Sequence, residues 1–211
     1  MVRHSLLSIL AAAALCSCNG IFGGIYDVPA EDSDFGFIEE SDGTHTGKIY
    51  IDATSYTEWH YVDLHSKTVT SSAVGEPAPE RWDFAIHRYD AKTNGGRVAD
   101  SGCTDFQEAS LRAETIADDV FENDLRTDDR IAIDMSRMIE GIILYAEDDY
   151  NPVLSRWLDV DISTMPPVYT LSHRIYLLKM PDGSAAALKL DNFMNTSAIK
   201  GFMTVEYLWP L

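Results

Sequence analysis

The residues with the most distinctive chemistry in this sequence are methionines in its second half. Met165 lies directly before Pro166 and Pro167, in the stretch TMPPVY (residues 164–169). Each proline stiffens the backbone by holding φ at about −65°, whereas methionine is flexible and usually fills gaps in a core. Its thioether sulfur is also a soft metal ligand. The sequence therefore leaves two interpretations of Met165: core packing, or a sulfur held in place for a metal.

The other residue types that carry chemistry do not form an established motif. The sequence contains no Gly-rich phosphate loop, HExxH, CxxC pair or G-x-S-x-G elbow. His60 and His65 are five residues apart, so on one strand they would point to opposite faces and would not chelate an ion. His87 lies in an alternating strand, where a structural, hydrogen-bonded histidine is the favoured interpretation. A hydrolase that uses acidic residues is the weakest functional hypothesis, since no motif supports it.

The N-terminus has the layout of a secretory signal. One arginine is followed by an apolar run over residues 6–15 and then by small residues. The run is too short to cross a bilayer as a helix. The tetrapeptide LCSC (residues 15–18) resembles a bacterial lipobox, which predicts a signal peptide over residues 1–17 and lipidation of Cys18. The alternative is an ordinary cleaved signal with an incidental cysteine.

The remaining chain is strongly acidic. Removal of Arg3 with the signal leaves 15 basic and 34 acidic residues, a net charge of −19, which argues against nucleic acid as a partner. It argues equally against electrostatic adhesion to anionic lipid, so the lipid anchor is the only membrane attachment expected. Residues 19–44 hold seven acidic residues and no Lys or Arg. These features predict a lipidated cysteine with an acidic tether over residues 18–44 and a single domain over residues 45–211.

The elements that must position any site are predicted to be mostly strands. Two turns have sound turn chemistry, Asn94-Gly95-Gly96 and Pro181-Asp182-Gly183. Residues 106–117 and 136–149 could be helical, although both patterns are ambiguous. The fold class is therefore all-β, predominantly antiparallel, with at most short helices. Strands are predicted at residues 48–52, 59–64, 82–88, 174–179, 187–190 and 202–209.

Several of these segments resemble one family. WDFAIHRYD (residues 82–90), followed by TNGG (93–96), resembles the W-D-x-A-x-H-R-Y-D…N-x-G block of HmuY, a family of haem-binding lipoproteins of Bacteroidetes. IDATSYTEWHY (51–61) is similar to its I-D-A-x-x-Y-x-x-W-x-Y, and YTLSHRI (169–175) to its Y-x-L-S-N-R-V. The closing hairpin and last strand are also similar.

The resemblance covers residues 48–96 and 157–211, in the same order and at similar spacing. It implies an all-β fold and a protein that binds haem without catalysing a reaction. It further implies capture of haem from host haemoproteins at the cell surface and transfer to a TonB-dependent outer-membrane receptor. An outer-membrane, lipid-anchored location is implied in the same way.

The iron ligands that the resemblance implies are not all present. The position of the family's second histidine is held by Ile162, and no histidine lies between His87 and His173. A bis-histidine site is therefore not available. Methionine is a known axial ligand of haem iron, and three methionines lie between residues 88 and 172: Met135, Met138 and Met165.

Two of these methionines are the predicted axial ligands, Met138 and Met165. They are 27 residues apart, which allows two chain segments to approach a flat macrocycle from opposite sides. The prolines after Met165 would reduce the entropy lost on binding. Met135 is the alternative to Met138, but it ends an alternating run (residues 130–134) where a core-facing role is natural.

Further residues are candidates for the haem pocket. Ile139 and its apolar neighbours up to Leu144 could line the haem face, although a plain core element would have the same pattern. Arg137 and Arg156 could contact the propionates, because guanidinium pairs with carboxylate through two hydrogen bonds. Surface salt bridges are the alternative for both arginines. The alternative function is the same scaffold without haem, binding a protein, a glycan or another porphyrin.

Overall fold

The structure is a computed structural model that describes residues 34–164 and 166–211. The predicted signal peptide (residues 1–17), Cys18 and Met165 lie outside the described residues. The strands are β1 (Gly36–Ser41), β2 (Thr46–Asp52), β3 (Glu58–Asp63), β4 (Thr68–Ala73), β5 (Phe84–His87), β6 (Asp90–Thr93), β7 (Arg97–Asp100), β8 (Glu122–Asn123), β9 (Leu125–Asp134), β10 (Leu144–Tyr150), β11 (Leu158–Asp161), β12 (Val168–Leu171), β13 (Tyr176–Lys179), β14 (Ala185–Met194) and β15 (Lys200–Leu208). The helical elements are α1 (Phe106–Ala113) and the 3₁₀ turns Asp118–Val120, Met138–Glu140 and Leu154–Trp157.

The strands form two sheets and two separate hairpins. One sheet has seven strands in the order β1-β2-β15-β14-β13-β7-β8, and the other has four in the order β4-β3-β5-β6. β9 pairs only with β10 and β11 only with β12, and neighbouring strands are antiparallel throughout the described residues. The prediction of an all-β, mainly antiparallel fold is confirmed. No helix in the described part of the chain is both long and apolar enough to cross a membrane.

The main core lies between the two sheets. Ile49 and Ile51 of β2 alternate inward from the seven-stranded sheet, and Phe84 and Ile86 of β5 do so from the four-stranded sheet. All four side chains are at most 2 % exposed. Burial of an apolar side chain of this size contributes about 1.5–3 kcal/mol. The alternation that predicted these strands is therefore the pattern that builds the core.

A smaller apolar cluster holds the one α-helix against the seven-stranded sheet. Ala109 of α1 is fully buried and packs with Ile175, Leu177 and the free thiol of Cys103. Asp105 caps the helix, because its carboxylate accepts hydrogen bonds from the backbone N–H groups of the first turn. The helix predicted within residues 106–117 is thus present in its first eight residues.

The second stretch that could have been helical, residues 136–149, is mainly a strand. It contains the 3₁₀ turn Met138–Glu140 and then β10, which pairs with β9 from Leu144 to Tyr150. Gly141 ends the turn at φ 78°, a left-handed conformation that glycine adopts without steric cost. The apolar run around Ile142 fits both the helical and the strand period. Pairing with β9 makes the residues from Leu144 onward a strand.

The predicted tether is too long at its C-terminal end. Residues 36–41 form β1, which pairs with β2 at the edge of the seven-stranded sheet. The ring of Phe37 packs edge-on against Tyr207, with centroids 5.6 Å apart, and Phe35 stacks on Tyr50 at 5.2 Å. These aromatic contacts outweigh the acidic composition that indicated a tether, so the β domain begins before residue 45.

Candidate functional site

The predicted iron ligands fall on the two separate hairpins. We call residues 125–150 hairpin A (β9 and β10) and residues 158–171 hairpin B (β11 and β12). Met138 lies in the turn of hairpin A. Met165 belongs by sequence to the connection of hairpin B, but it is outside the described residues. The two hairpins, and not the sheets, therefore carry the predicted site.

The turn of hairpin A presents the sulfur-bearing residue to solvent. Met138 is 41 % exposed, whereas Met135 is half-buried. The turn is closed by hydrogen bonds from the Met138 N–H to the Met135 carbonyl at 3.0 Å and from the Gly141 N–H to the Met138 carbonyl at 2.9 Å. The thioether of Met138 is thus accessible on a turn whose backbone is internally bonded.

Both hairpins expose large apolar side chains around these turns. Ile139 is 97 % exposed and Ile162 is 75 % exposed. A large exposed apolar surface in a soluble domain commonly marks a binding site. The exposed side chains of the two hairpins therefore offer apolar surface to a ligand. The apolar residues exposed on it are Met138, Ile139, Ile142, Leu144 and Tyr145 on hairpin A, and Ile162 and Val168 on hairpin B.

A cavity of about 570 Å³ lies between the two hairpins. Hairpin A contributes Arg130, and hairpin B contributes Leu158 to Val160. Tyr89, in the turn between β5 and β6, and Asp90, the first residue of β6, line it as well. Because both hairpins line one cavity, a ligand held there would touch both.

Two guanidinium groups lie in this cavity. Arg156 is exposed and makes no ion pair with any residue that the structure describes. Arg130 donates from Nε to the Asp90 carboxylate at 2.6 Å and lies 4.6 Å from the ring centroid of Tyr150. Burial raises the pKa of Asp90, although Arg130 acts in the opposite direction. The cavity is therefore lined by two guanidinium groups and by the carboxylates of Asp90 and Asp159, and of the two arginines only Arg156 is not in an ion pair within the described residues.

The other sequence-predicted residues have different surroundings. Arg137 donates to Glu140 of its own turn, with Nη2 and Oε2 2.6 Å apart, so its guanidinium is already engaged in an exposed ion pair. Ile139 is on the exposed turn of hairpin A. Arg130 was missed from the sequence, because its partner Asp90 is 40 residues away and no local pattern links the two.

A buried asparagine joins hairpin A to hairpin B. Asn151 follows β10 and is fully buried. Its N–H donates to the Ala91 carbonyl of β6 at 2.6 Å, and its side-chain amide donates to Asp124 at 2.9 Å. Its side-chain oxygen accepts from the N–H groups of Val153 and Leu154, at the start of the turn that leads to β11. One residue thus ties the end of hairpin A to the four-stranded sheet and to the entry of hairpin B.

A buried ion pair fixes hairpin A to the four-stranded sheet a second time. Lys92 of β6 contacts Asp148 of β10, with Nζ and Oδ1 3.0 Å apart, and the other carboxylate oxygen accepts from the indole N–H of Trp59 at 2.8 Å. Nζ lies 4.0 Å from the Trp59 ring centroid. Burial acts to raise the pKa of Asp148, but the hydrogen bond and charge of Lys92 help to hold it below its ordinary value. Asp148 is therefore a structural residue of the hairpin base.

Hairpin B is anchored through a buried tryptophan. Trp157, immediately before β11, is fully buried in the main core, and its indole N–H donates to the Tyr89 carbonyl at 2.8 Å. His87 is a buried structural histidine, as predicted, with Nε2 2.9 Å from the Tyr56 carbonyl. The bases of both hairpins are therefore rigidly packed.

The sequence and the fold of this chain are similar to those of known proteins. The model of the HmuY protein family matches residues 55–207. A crystal structure from Bacteroides vulgatus ATCC 8482, described as HmuY-like and haem-binding, is 47 % identical, with a TM-score of 0.78 over 84 % of this chain and 99 % of that one. A protein of Bacteroides fragilis NCTC 9343 described as a lipoprotein is 44 % identical, with a TM-score of 0.79 over 87 % and 99 % of the two chains.

A more distant structure shares the fold. The apo HmuY analogue of Tannerella forsythia is 23 % identical, with a TM-score of 0.64 over 77 % of this chain and 94 % of that one. A search of curated proteins found no match.

Proposed function

The chain belongs to the HmuY family, and from that premise we propose that it is a lipoprotein that captures haem from host haemoproteins and passes it to a TonB-dependent outer-membrane receptor. The observation that carries the proposal is the exposed thioether and apolar surface on two hairpins that flank one cavity. Such a site binds and releases a ligand, and it needs no catalytic group.

The proposed iron ligands are Met138 from hairpin A and Met165 from hairpin B. Met138 is supported by its exposure, and Met165 by its sequence position in the connection of hairpin B, between two apolar residues that flank it, Ile162 and Val168. Met135 is the alternative on hairpin A. The two sulfurs would meet the iron from opposite faces of the macrocycle, and soft sulfur ligands favour the ferrous state.

The proposed contacts to the propionates come from the cavity between the hairpins. Arg156 has a guanidinium that is not used in an ion pair within the described residues, and it can form paired hydrogen bonds with a carboxylate. Arg130 would share its charge between Asp90 and a propionate. Arg137 would have to leave Glu140 to take part.

The proposed location is the outer membrane, with the domain held at the cell surface by lipid on Cys18. The lipobox-like tetrapeptide LCSC supports this proposal, as does the B. fragilis relative described as a lipoprotein. Stable anchoring through Cys18 would require more than one acyl chain, because a single chain gives only reversible membrane attachment.

The test is a haem titration of the purified protein, followed through the Soret band under oxidising and under reducing conditions. We expect tighter binding after reduction. Met138→Ala and Met165→Ala should each weaken binding of reduced haem by about tenfold or more, equivalent to about 1.4 kcal/mol. Met194→Leu is the matched control, because Met194 is a half-buried residue of β14 that packs against the main core.

Two results would contradict parts of the proposal. An unchanged reduced spectrum in both alanine variants would show that the ligand assignment is wrong, and Met135→Ala would then be measured. Absence of any haem-dependent spectral change in the wild type would favour the alternative, a HmuY-like scaffold that binds a protein, a glycan or another porphyrin.

A further inference from the structure

A histidine and two aspartates converge at the end of the four-stranded sheet. Asp63 ends β3, His65 lies in the turn between β3 and β4, and Asp83 directly precedes β5. The Nδ1 atom of His65 is 3.4 Å from Oδ2 of Asp83 and 3.8 Å from Oδ1 of Asp63. One atom from each side chain lies within 4.8 Å of the other two. The strand alternation predicted that His60 and His65 would diverge, but the turn after β3 instead directs His65 toward these carboxylates.

The contact of Nδ1 with Asp83 is a long hydrogen bond, and both distances are near those between two ligands of one cation. A charge-assisted N–H···O bond is about 2.7–2.9 Å long, shorter than either contact of Nδ1. Ligand atoms about 2.0–2.2 Å from a tetrahedral zinc ion lie roughly 3.3–3.6 Å from each other. The separation of Nδ1 from the Asp83 oxygen, 3.4 Å, falls in that range, and its separation from the Asp63 oxygen, 3.8 Å, is slightly longer.

The two carboxylates are buried without a permanent cation. Asp63 is 6 % exposed and Asp83 is 9 % exposed. Within the described residues, the ion pairs of both aspartates are made only with His65, and neither carboxylate meets a lysine or an arginine. Two neighbouring buried carboxylates repel each other, and a divalent ion would remove that repulsion. Carboxylates in an exposed acidic cluster repel each other less, because water screens their charges.

The far side of the imidazole is held in place. Nε2 of His65 is 3.2 Å from Oδ2 of Asp182, in the turn between β13 and β14, and the ring packs edge-on against Trp209 at 4.6 Å. Metal-binding histidines commonly donate their second N–H to a carboxylate, which leaves the first nitrogen free to bind the metal. The site also opens into a solvent-accessible cavity of about 360 Å³, lined by Trp82 and Asn94 among others, from which water could supply a fourth ligand.

We propose that Asp63, His65 and Asp83 form a site for a divalent transition-metal ion, with Zn²⁺ as the best-matched ion, and with Asp182 positioning the histidine. One nitrogen and two oxygen ligands suit zinc, whereas calcium requires six or more oxygens. The site is separate from the cavity between the hairpins. Asp83 precedes β5 and Asp90 begins β6 after the turn at its other end, so the two sites lie at opposite ends of a four-residue strand, roughly 13 Å apart at about 3.3 Å per residue.

The test is isothermal titration of the purified wild-type protein with Zn²⁺ and, separately, with Ca²⁺. We expect one saturable Zn²⁺ site and Ca²⁺ binding at least about tenfold weaker. His65→Gln and Asp83→Asn should each lower Zn²⁺ affinity by about tenfold or more. Asp128→Asn is the matched control, because it removes one exposed acidic residue of β9 and should leave the affinity unchanged.

His65→Gln decides the outcome if Asp83→Asn fails to fold, because His65 is half-exposed while Asp83 accepts a hydrogen bond from the Leu64 N–H at 2.7 Å. Zn²⁺ affinity in His65→Gln equal to that of the wild type would overturn the proposal, as would absence of saturable Zn²⁺ binding. Haem titration of His65→Gln should match the wild type, which separates this result from failure of the proposed haem site.

Discussion

At the scale of single residues, the buried contacts that anchor the hairpin bases could not be predicted from a local sequence pattern. Lys92 has 11 % of its side chain exposed and Asp148 has 14 %. Neither residue was singled out from the sequence. The 56-residue separation of Lys92 and Asp148 explains the omission, because no local period links residues so far apart.

Lys92→Met should lower the free energy of unfolding by about 3–5 kcal/mol, since it leaves the buried Asp148 carboxylate without its cation. Urea denaturation monitored by tryptophan fluorescence would measure the change. Arg126→Ala, which removes an exposed pair with Glu147 on the same hairpin, should cost at most about 1 kcal/mol. Equal effects of the two substitutions would contradict the distinction between buried and exposed pairs.

The same contact has a defined pH dependence. The pKa of Asp148 is lowered in the folded protein from an ordinary value of 3.8. A lowered carboxyl pKa contributes stability above the unfolded value, and that stability is lost as the pH falls through the folded value. The difference in stability between wild type and Lys92→Met should therefore shrink as the pH falls below about 3.8.

At the scale of elements, the sequence predicted the strands of the sheets better than the hairpins that carry the site. The strands around Ile49, Phe84 and Leu188 could be predicted because their large apolar residues alternate in sequence and pack into the main core. Hairpin A contains the run around Ile142, which fits both helical and strand periods. The sequence alone left residues 136–149 ambiguous, because the pairing of β10 with β9 is not visible in a local pattern.

The relative placement of the two hairpins depends on Asn151. Asn151→Ala should lower the free energy of unfolding by about 2–4 kcal/mol, because it leaves the buried N–H groups of Val153 and Leu154 without their acceptor and removes one donor from Asp124. It should also weaken haem binding, since hairpin A would no longer be fixed relative to hairpin B. Chemical denaturation and the haem titration measure the two effects.

The control for Asn151 is Asn94→Ala, which removes one exposed hydrogen bond to the Trp82 carbonyl at 2.9 Å. It should change stability by no more than about 1 kcal/mol and leave haem binding unaltered. If Asn151→Ala destabilised the protein but haem affinity stayed the same, the role of Asn151 in placing the hairpins would be wrong.

At the scale of the whole molecule, composition predicted one acidic domain but misplaced its beginning. Residues 36–41 resemble a tether by charge, yet the aromatic rings of Phe35 and Phe37 bind them to the sheet. The partner of Phe37 is Tyr207, 170 residues away, so only the folded chain reveals the contact. The cavity between the hairpins depends on similar long-range packing, which explains why Arg130 was missed.

The domain boundary can be tested by truncation. A chain that starts at residue 34 should keep the thermal stability of a chain that starts at residue 18, because the described contacts of β1 are intact. A chain that starts at residue 45 should lose at least about 2 kcal/mol, since it loses the aromatic contacts of Phe35 and Phe37 and exposes the edge of β2. Differential scanning calorimetry would measure the three melting temperatures. Equal values for the chains that start at 34 and 45 would restore the longer tether.

The strand order of the seven-stranded sheet sets the distance between the N-terminal end of the domain and the start of hairpin A. β1 is one edge strand and β8 is the other, and β8 runs directly into hairpin A, while the chain toward Cys18 leaves from β1. Six inter-strand spacings of about 4.8 Å place these exits roughly 29 Å apart. A surface that holds the N-terminal end would therefore have the width of the sheet between itself and the start of hairpin A.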